Sequence, residues 1–95
     1  MDNVEKVLSE IKSDREVMKV RFTASFLDSA AAVFERYGRG TTQAFLLEKQ
    51  NRHELRAQAT ALLKVLKSME EHGVNRHVGR LIIKTLIPLQ FRKEE

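Results

Sequence analysis

Apolar residues in the first third of the chain recur at the spacing of an amphipathic helix. On a wheel of about 100° per residue, one stripe gathers side chains that lie within about 60° of Val4. The members of this stripe are Leu8, Ile11, Met18, Phe22, Phe26, Val33 and Tyr37. Asp2 with Glu5 has the spacing of a capping box, and Gly38 suits a helix C-terminus. The pattern predicts one continuous helix over about residues 3–37.

One segment of this stripe also permits a different structure. Val17–Thr23 is rich in β-branched residues and partly alternates, as a short strand does. A strand there, followed by helices starting near Asp28 and after the GRGTT segment, resembles the ribbon-helix-helix order. Arg15 interrupts the apolar stripe, and it would either pair with a carboxylate of a partner chain or mark a bend, where Ser13 and Glu16 have the pattern of a second capping box. Because the stripe stays in phase throughout, we expect the continuous helix.

A second helix is predicted between the turn glycines. Thr41 or Thr42 is a competent N-cap, and the strong helix formers that follow extend to the residue before Gly73. The apolar residues of this helix, over about residues 42–72, repeat in a 4-3-4-3 spacing that is typical of a coiled-coil seam. The seam comprises Leu55, Ala59, Leu62, Leu66 and Met69.

A short third helix is predicted over about residues 75–87. Ile83 and Ile87 lie opposite its main apolar face, so its second half must be buried on both sides. Pro88 is expected to end or kink this helix, and the charged tail at residues 90–95 is expected to fray.

These elements predict an all-α fold with a single domain over residues 1–95. The short GRGTT turn would make the two long helices an antiparallel hairpin. Such a hairpin with one short helix leaves part of each apolar stripe uncovered, which favours a homodimeric four-helix bundle. The expected interface, with a second copy or with another protein, comprises Leu55, Leu62, Leu66, Met69, Ile83 and Ile87. In outline this arrangement resembles the nodaviral RNA-silencing suppressors, and the resemblance implies a dimer that lies along double-stranded RNA.

Composition narrows the classes of function. The 95 residues include no cysteine, which excludes disulfides, thiolate metal sites and thiol nucleophiles. Since the sequence has neither a signal-peptide pattern nor an apolar run near the ~20 residues of a membrane span, we expect a cytoplasmic protein. The sequence lacks phosphate-loop, zinc-protease and serine-hydrolase motifs, and its three histidines lack the spacing of a helical metal pair. We therefore expect no enzyme activity, no catalytic residues, no metal site and no cofactor.

Charge gives the clearest indication of a partner. Seventeen Lys and Arg against thirteen Asp and Glu give a net charge of +4, which favours polyanions. On the predicted second helix, five cations form a ridge about 27 Å long beside the seam. The ridge comprises Lys49, Arg52, Arg56, Lys64 and Lys67. Arg76, Arg80 and Lys84 follow at a spacing of four on the predicted third helix, while Arg36 and Arg39 flank the turn.

The ridge has two interpretations. Lys and Arg beside an apolar seam commonly form a solvated flank, whereas a row of this length also suits the phosphates along a duplex groove. The aromatic residues mostly belong to the apolar stripes, so a duplex fits better than splayed single-strand bases. Asn75-Arg76-His77 is a faint candidate for reading DNA bases.

The sequence therefore predicts a small, homodimeric, non-catalytic protein that contacts the phosphate backbone of a nucleic-acid duplex. Double-stranded RNA is favoured over DNA, because A-form shape can be read through phosphates and 2′-hydroxyls alone. The role would be that of a regulator or an RNA-silencing suppressor. The alternative is a helical adaptor or chaperone-like subunit that binds an amphipathic partner helix.

Overall fold

The computed structural model describes residues 2–92, which form helices and their connections without any strand in that range. This confirms the predicted all-α class. The α-helices are α1 (Asn3–Ser13), α2 (Arg15–Lys19), α3 (Ala24–Tyr37), α4 (Arg39–Lys49), α5 (Arg56–Glu71), α6 (Arg76–Lys84) and α7 (Leu86–Arg92). A 3₁₀ turn, His53–Leu55, precedes α5. Of the tail predicted to fray, residues 90–92 are the end of α7 and residues 93–95 lie outside the described residues.

The first predicted helix is wrong as a continuous rod, because the chain breaks twice between α1 and α3. The predicted capping box at the start of α1 is present, with reciprocal bonds of 2.8 and 3.2 Å. α1 stops at Ser13, and the Asp14 carboxylate accepts the backbone N–H of Val17 at 3.2 Å, which starts α2. The bend that Ser13 and Glu16 indicated therefore exists, but Asp14 is its cap.

The second break lies at residues 20–23, where Val20 and Thr23 both have extended backbone angles. The backbone N–H of Thr23 donates to the side-chain oxygen of Gln58 at 2.9 Å. The side-chain amide of Gln90 donates to the carbonyl of Val20 at 2.6 Å. These two distant glutamines satisfy backbone groups that a continuous helix would satisfy internally. The segment is thus neither the continuous helix that we expected nor the alternative strand.

The second predicted helix is also divided, into α4 and α5, which pack against each other. The chain leaves α4 after Lys49 and turns through residues 50–55 before α5 begins. Asn51 and His53 lie in this turn, and both residue types are weaker helix formers than the Ala, Leu and Lys of α5. The reversal places the two halves of the expected rod side by side.

The seam is consequently covered by the chain itself. Four of the six residues predicted at a partner interface are at most 3% exposed, namely Leu62, Leu66, Met69 and Ile83. The other two, Leu55 and Ile87, are partly buried against the same core. The Cα radius of gyration of 12.2 Å is close to the roughly 12 Å of a closed domain of this length. The premise that a second copy must cover bare stripes is therefore wrong, and the long rods of the nodaviral outline are absent from residues 2–92.

The third predicted helix ends three residues early, at Lys84, and α7 follows after Thr85. A continuous helix would need the residue-88 N–H to bond the Lys84 carbonyl, and Pro88 has no N–H. Pro88 instead lies in the first turn of α7, where an N–H group would have no partner within the helix, so no hydrogen bond is lost there. α6 packs on α3, where a Cβ at Gly79 would overlap the Phe34 ring. This close approach fixes the position of α6.

Candidate nucleic-acid interface

Two of the predicted phosphate-binding residues meet at the turn between α3 and α4. α3 ends at Tyr37, and Gly38 has a φ of 89°, a left-handed value that favours glycine. The buried Thr42 hydroxyl donates to the Gly38 carbonyl at 2.7 Å, which fixes the turn from the inside. Because α4 starts at the next residue, Arg39 follows closely on Arg36 of the last turn of α3.

A third arginine reaches this turn from α6. The guanidinium atoms of Arg76 stand 2.9–3.1 Å from where a Cβ on Gly38 would be. Its Nη1 donates to the backbone carbonyl of Arg36 at 3.2 Å. We call Arg36, Arg39 and Arg76 the arginine corner. Glycine is favoured at position 38 for its φ, and the space that a side chain would fill there is occupied by the Arg76 guanidinium.

The arginine corner is exposed and only partly neutralised. Arg39 pairs with Glu70 at 3.0 Å, with side chains 44% and 50% exposed. Within the described chain, neither Arg36 nor Arg76 takes part in an ion pair. The guanidinium carbon of Arg36 lies 5.7 Å from the centroid of the Tyr37 ring. The corner therefore presents cations that an added anion can contact.

The predicted spacing of cations on the third helix is present on α6, although carboxylates of α3 share their charge. Arg80 Nε lies 3.2 Å from Glu35 Oε1, and Lys84 Nζ lies 3.8 Å from Asp28 Oδ1. All four side chains are partly exposed, so each ion pair contributes little to stability. Together with Arg76, these two cations extend the arginine corner along one regular helix.

The predicted ridge of the second helix is not one line. Its members are distributed over α4 (Lys49), the following turn (Arg52) and α5 (Arg56, Lys64, Lys67). The predicted length assumed one helical phase, which residues 50–55 interrupt. Four members have internal partners, in the pairs Lys49–Glu48 (3.3 Å), Arg52–Glu54 (3.7 Å), Lys64–Asp14 (3.5 Å) and Arg56 with the Gln50 carbonyl (2.9 Å). The ridge therefore lacks the continuous geometry on which its proposed role depended.

The candidate for base reading is engaged in contacts within the protein. The Asn75 side chain accepts the backbone N–H of Val78 at 2.9 Å, as the N-cap of α6. Arg76 belongs to the arginine corner, and His77 Nδ1 lies 3.5 Å from Glu35. These three side chains are thus used to build and position α6.

One polar cluster joins residues that the sequence does not connect. The Ser68 hydroxyl donates to Glu10 of α1 at 2.5 Å, and His72 Nε2 lies 2.9 Å from the same carboxylate. The hydrogen bonds from Ser68 and then His72 lower the pKa of Glu10 below its ordinary value. Ser68 of α5 and His72, the residue that caps its C-terminus, are four apart, but their shared partner lies 58 and 62 residues away in sequence. The cluster ties α1 to the end of α5.

A metal site and a membrane span are both missing from residues 2–92. In that part of the chain, no group of three or more His, Asp or Glu side chains is arranged to hold a metal ion. Over the same range, no helix combines the length and apolarity needed to cross a bilayer.

Comparisons with known proteins give no relative for this chain. No family model matches it, and neither curated proteins nor solved structures give a significant match.

Proposed function

We propose that this protein binds a nucleic-acid duplex without catalysis, through phosphate contacts of the arginine corner and the neighbouring cations of α6. The observation that carries this proposal is the convergence of Arg36, Arg39 and Arg76 from three helices on one turn. Guanidinium groups match phosphate oxygens with paired, charge-assisted hydrogen bonds. A cluster of three therefore suits a backbone that presents several phosphates close together.

The cations of α6 extend this surface. From Arg76 to Lys84 the helix rises by about 12 Å, a span over which a duplex presents several phosphates. Arg80 and Lys84 must exchange their α3 carboxylates for phosphate, and exposed ion pairs cost little to exchange. We expect the dispersed ridge residues, such as Arg52 and Lys67, to contribute only through long-range attraction.

Several features favour binding that is independent of base sequence. Asn75 and His77 at the start of α6 are engaged within the protein, and Arg76 keeps N–H donors for phosphate, so few groups remain there to contact base edges. Recognition through phosphates and 2′-hydroxyls suits A-form double-stranded RNA, which we propose as the preferred duplex over DNA. Regulation of an RNA or its processing is the role that such binding would serve.

The proposal requires only one copy of the chain. The residues that were to form the homodimer interface, or to take an amphipathic partner helix, are mostly inside the core. A homodimer or an adaptor role would need a different face. We therefore place nucleic-acid binding ahead of both.

A mobility-shift titration with duplex RNA, duplex DNA and single strands tests the proposal. The test variant is the double change Arg36→Ala and Arg39→Ala, and the matched control is Lys6→Ala with Lys12→Ala. The control residues are exposed on α1 and carry no ion pair within the described chain, so both variants lose two charges.

We expect the corner variant to bind duplex RNA about tenfold or more weakly, and its salt slope to fall by about two. The control should bind within about threefold of the unaltered protein, because only long-range attraction is reduced. Equal losses in both variants would show that binding follows net charge rather than the arginine corner. Absence of any shift at about 50 mM salt would overturn the function itself.

A further inference from the structure

The arginine corner carries an exposed aromatic ring whose position suggests what kind of nucleic-acid structure it meets. Tyr37 is 56% exposed, more than the other exposed large apolar side chains of the described chain, Leu47 at 48% and Leu81 at 45%. Its helical phase predicted a place in the apolar stripe. α3 ends at Tyr37 and the chain turns away at Gly38, so the ring lies outside the core.

The ring lies next to one guanidinium group of the corner, that of Arg36. Arg36 lies 5.7 Å from the ring centroid, within the range of a cation–π contact. Arg76 bonds the Arg36 carbonyl, and Arg39 starts the next helix two residues after Tyr37. The turn at Gly38 thus carries an exposed aromatic ring with one guanidinium group beside it, and Arg39 and Arg76 adjoin the same turn.

An exposed aromatic ring beside cations has no base face to stack on in the middle of a duplex. Along a continuous duplex, the faces of the base pairs are stacked on one another and are closed to a protein side chain. At a duplex end, the outer face of the terminal base pair is open, and the phosphates of the last nucleotides are next to it. An aromatic side chain stacks on such a face, while arginines bond the phosphates.

A single strand is a poorer fit to the same surface. Single-strand grooves stack successive bases on several aromatic side chains. Here Phe22, Phe26 and Phe34 are buried in the core and Phe45 is partly buried. Tyr37 alone among these rings is placed to stack, which suits one terminal base pair.

We propose that the arginine corner binds the open end of a nucleic-acid duplex. Tyr37 stacks on the terminal base pair, and Arg36, Arg39 and Arg76 contact the phosphates of the last nucleotides. This inference rests on the proposed nucleic-acid binding and adds the structural class of the ligand to it.

The test compares two RNAs with the same stem of about 20 base pairs. One is a blunt, open duplex, and the other is a dumbbell whose ends are closed by short loops, so that it has no open terminal base pair. We expect the unaltered protein to bind the open duplex about tenfold more tightly than the dumbbell. Tyr37→Ala should reduce affinity for the open duplex to that for the dumbbell, and Tyr37→Phe should retain the difference.

Leu47→Ala is the matched control, because Leu47 is a large apolar side chain of similar exposure on α4. It should leave both affinities unchanged, and circular dichroism should show the same helicity for all variants. Equal affinity of the unaltered protein for both RNAs, or tighter binding to the dumbbell, would overturn end recognition while leaving duplex binding in place. Binding to neither RNA would instead overturn the proposed function.

Discussion

Two sides of the molecule, the α3–α6 pair and the α1–α2 pair, differ in the contacts that hold their helices in place. α6 is fixed on α3 by shape, where Gly79 lets the two helices approach so closely that the Phe34 ring fills the space of a side chain. α1 and α2 also bury Val7, Ile11 and Val17 in the core, but polar groups from distant segments hold them in addition: Gln90 of α7 bonds the carbonyl of Val20 just after α2, and Ser68 bonds Glu10. The shape-fitted side carries the arginine corner, so the place of Arg76 at the turn depends on this close approach of α6 to α3.

The largest effect that we expect comes from adding a methyl group to the shape-fitted side. Gly79→Ala should lower the free energy of unfolding by about 1–3 kcal/mol, since a Cβ there overlaps the Phe34 ring and α6 must shift. Urea denaturation measures this change. Because Arg76 lies on α6, duplex binding should weaken in the same variant.

Gly40→Ala provides the control for that change. A Cβ at Gly40 would meet no atom within 4 Å, and the residue lies in the first turn of α4. We expect this variant to be unchanged or more stable by up to about 1 kcal/mol, because alanine reduces the entropy of the unfolded chain. Equal destabilisation by both alanines would show that the α3–α6 approach is not the limiting contact.

Loss of the hydrogen bond between Gln58 and the backbone of Thr23 should have the next largest effect on stability. Gln58 is 6% exposed, and its side-chain oxygen accepts the backbone N–H of Thr23 at the start of α3. Gln58→Ala leaves that donor without its partner and should cost about 1–2 kcal/mol in the free energy of unfolding, because the bond is only partly buried and water can partly replace the oxygen. The same substitution at exposed Gln43 should change it by less than about 0.5 kcal/mol. A loss at Gln58 no larger than at Gln43 would contradict the role given to this hydrogen bond.

A smaller and more local effect is expected at the end of α2. Gln90→Ala removes a donor that serves the carbonyls of Val17, Met18 and Val20. We expect a cost of about 0.5–1.5 kcal/mol and faster amide hydrogen exchange in α1 and α2 than in α3. Uniformly faster exchange over the whole chain would contradict the division into two differently held sides.

The smallest effect is a dependence on pH. The pKa of Glu10 is lowered in the folded protein by Ser68 and then by His72, so the carboxylate is the form that stabilises the fold. Its contribution is present above the ordinary pKa of 4.5 and is lost as the pH falls through the lowered pKa. As the pH is lowered from neutral to acid, the free energy of unfolding measured with urea should therefore fall more steeply for the unaltered protein than for Glu10→Gln. Identical pH profiles would contradict the role of this cluster.

The same contrast explains how much of the structure the sequence predicts. The helical class, the capping box at Asp2 and the N-cap at Asn75 follow from local patterns, and each is present. The breaks at Asp14 and at residues 20–23 depend on partners such as Gln58 and Gln90, which are distant in sequence. Since the apolar phase continues through those breaks, periodicity alone predicts a rod.

The sequence likewise predicts the residues of the candidate site but not how they meet. All three residues of the arginine corner were predicted to contact phosphate, but the sequence placed Arg76 on a separate helix with no indication that it meets the turn. The contact depends on the packing of α6 on α3 and on the absence of a side chain at Gly38. The five cations of the ridge were given the leading role because one helical phase was extended through residues 50–55, where the chain turns.

The most direct test of nucleic-acid binding by the arginine corner is a titration of isotope-labelled protein with duplex RNA, followed through its backbone amide resonances. We predict the largest shift changes at Arg36–Gly40 and along α6, with little change in α1 and α2. Changes confined to α1, α2 or residues 50–55, or no change at all at low salt, would contradict the account.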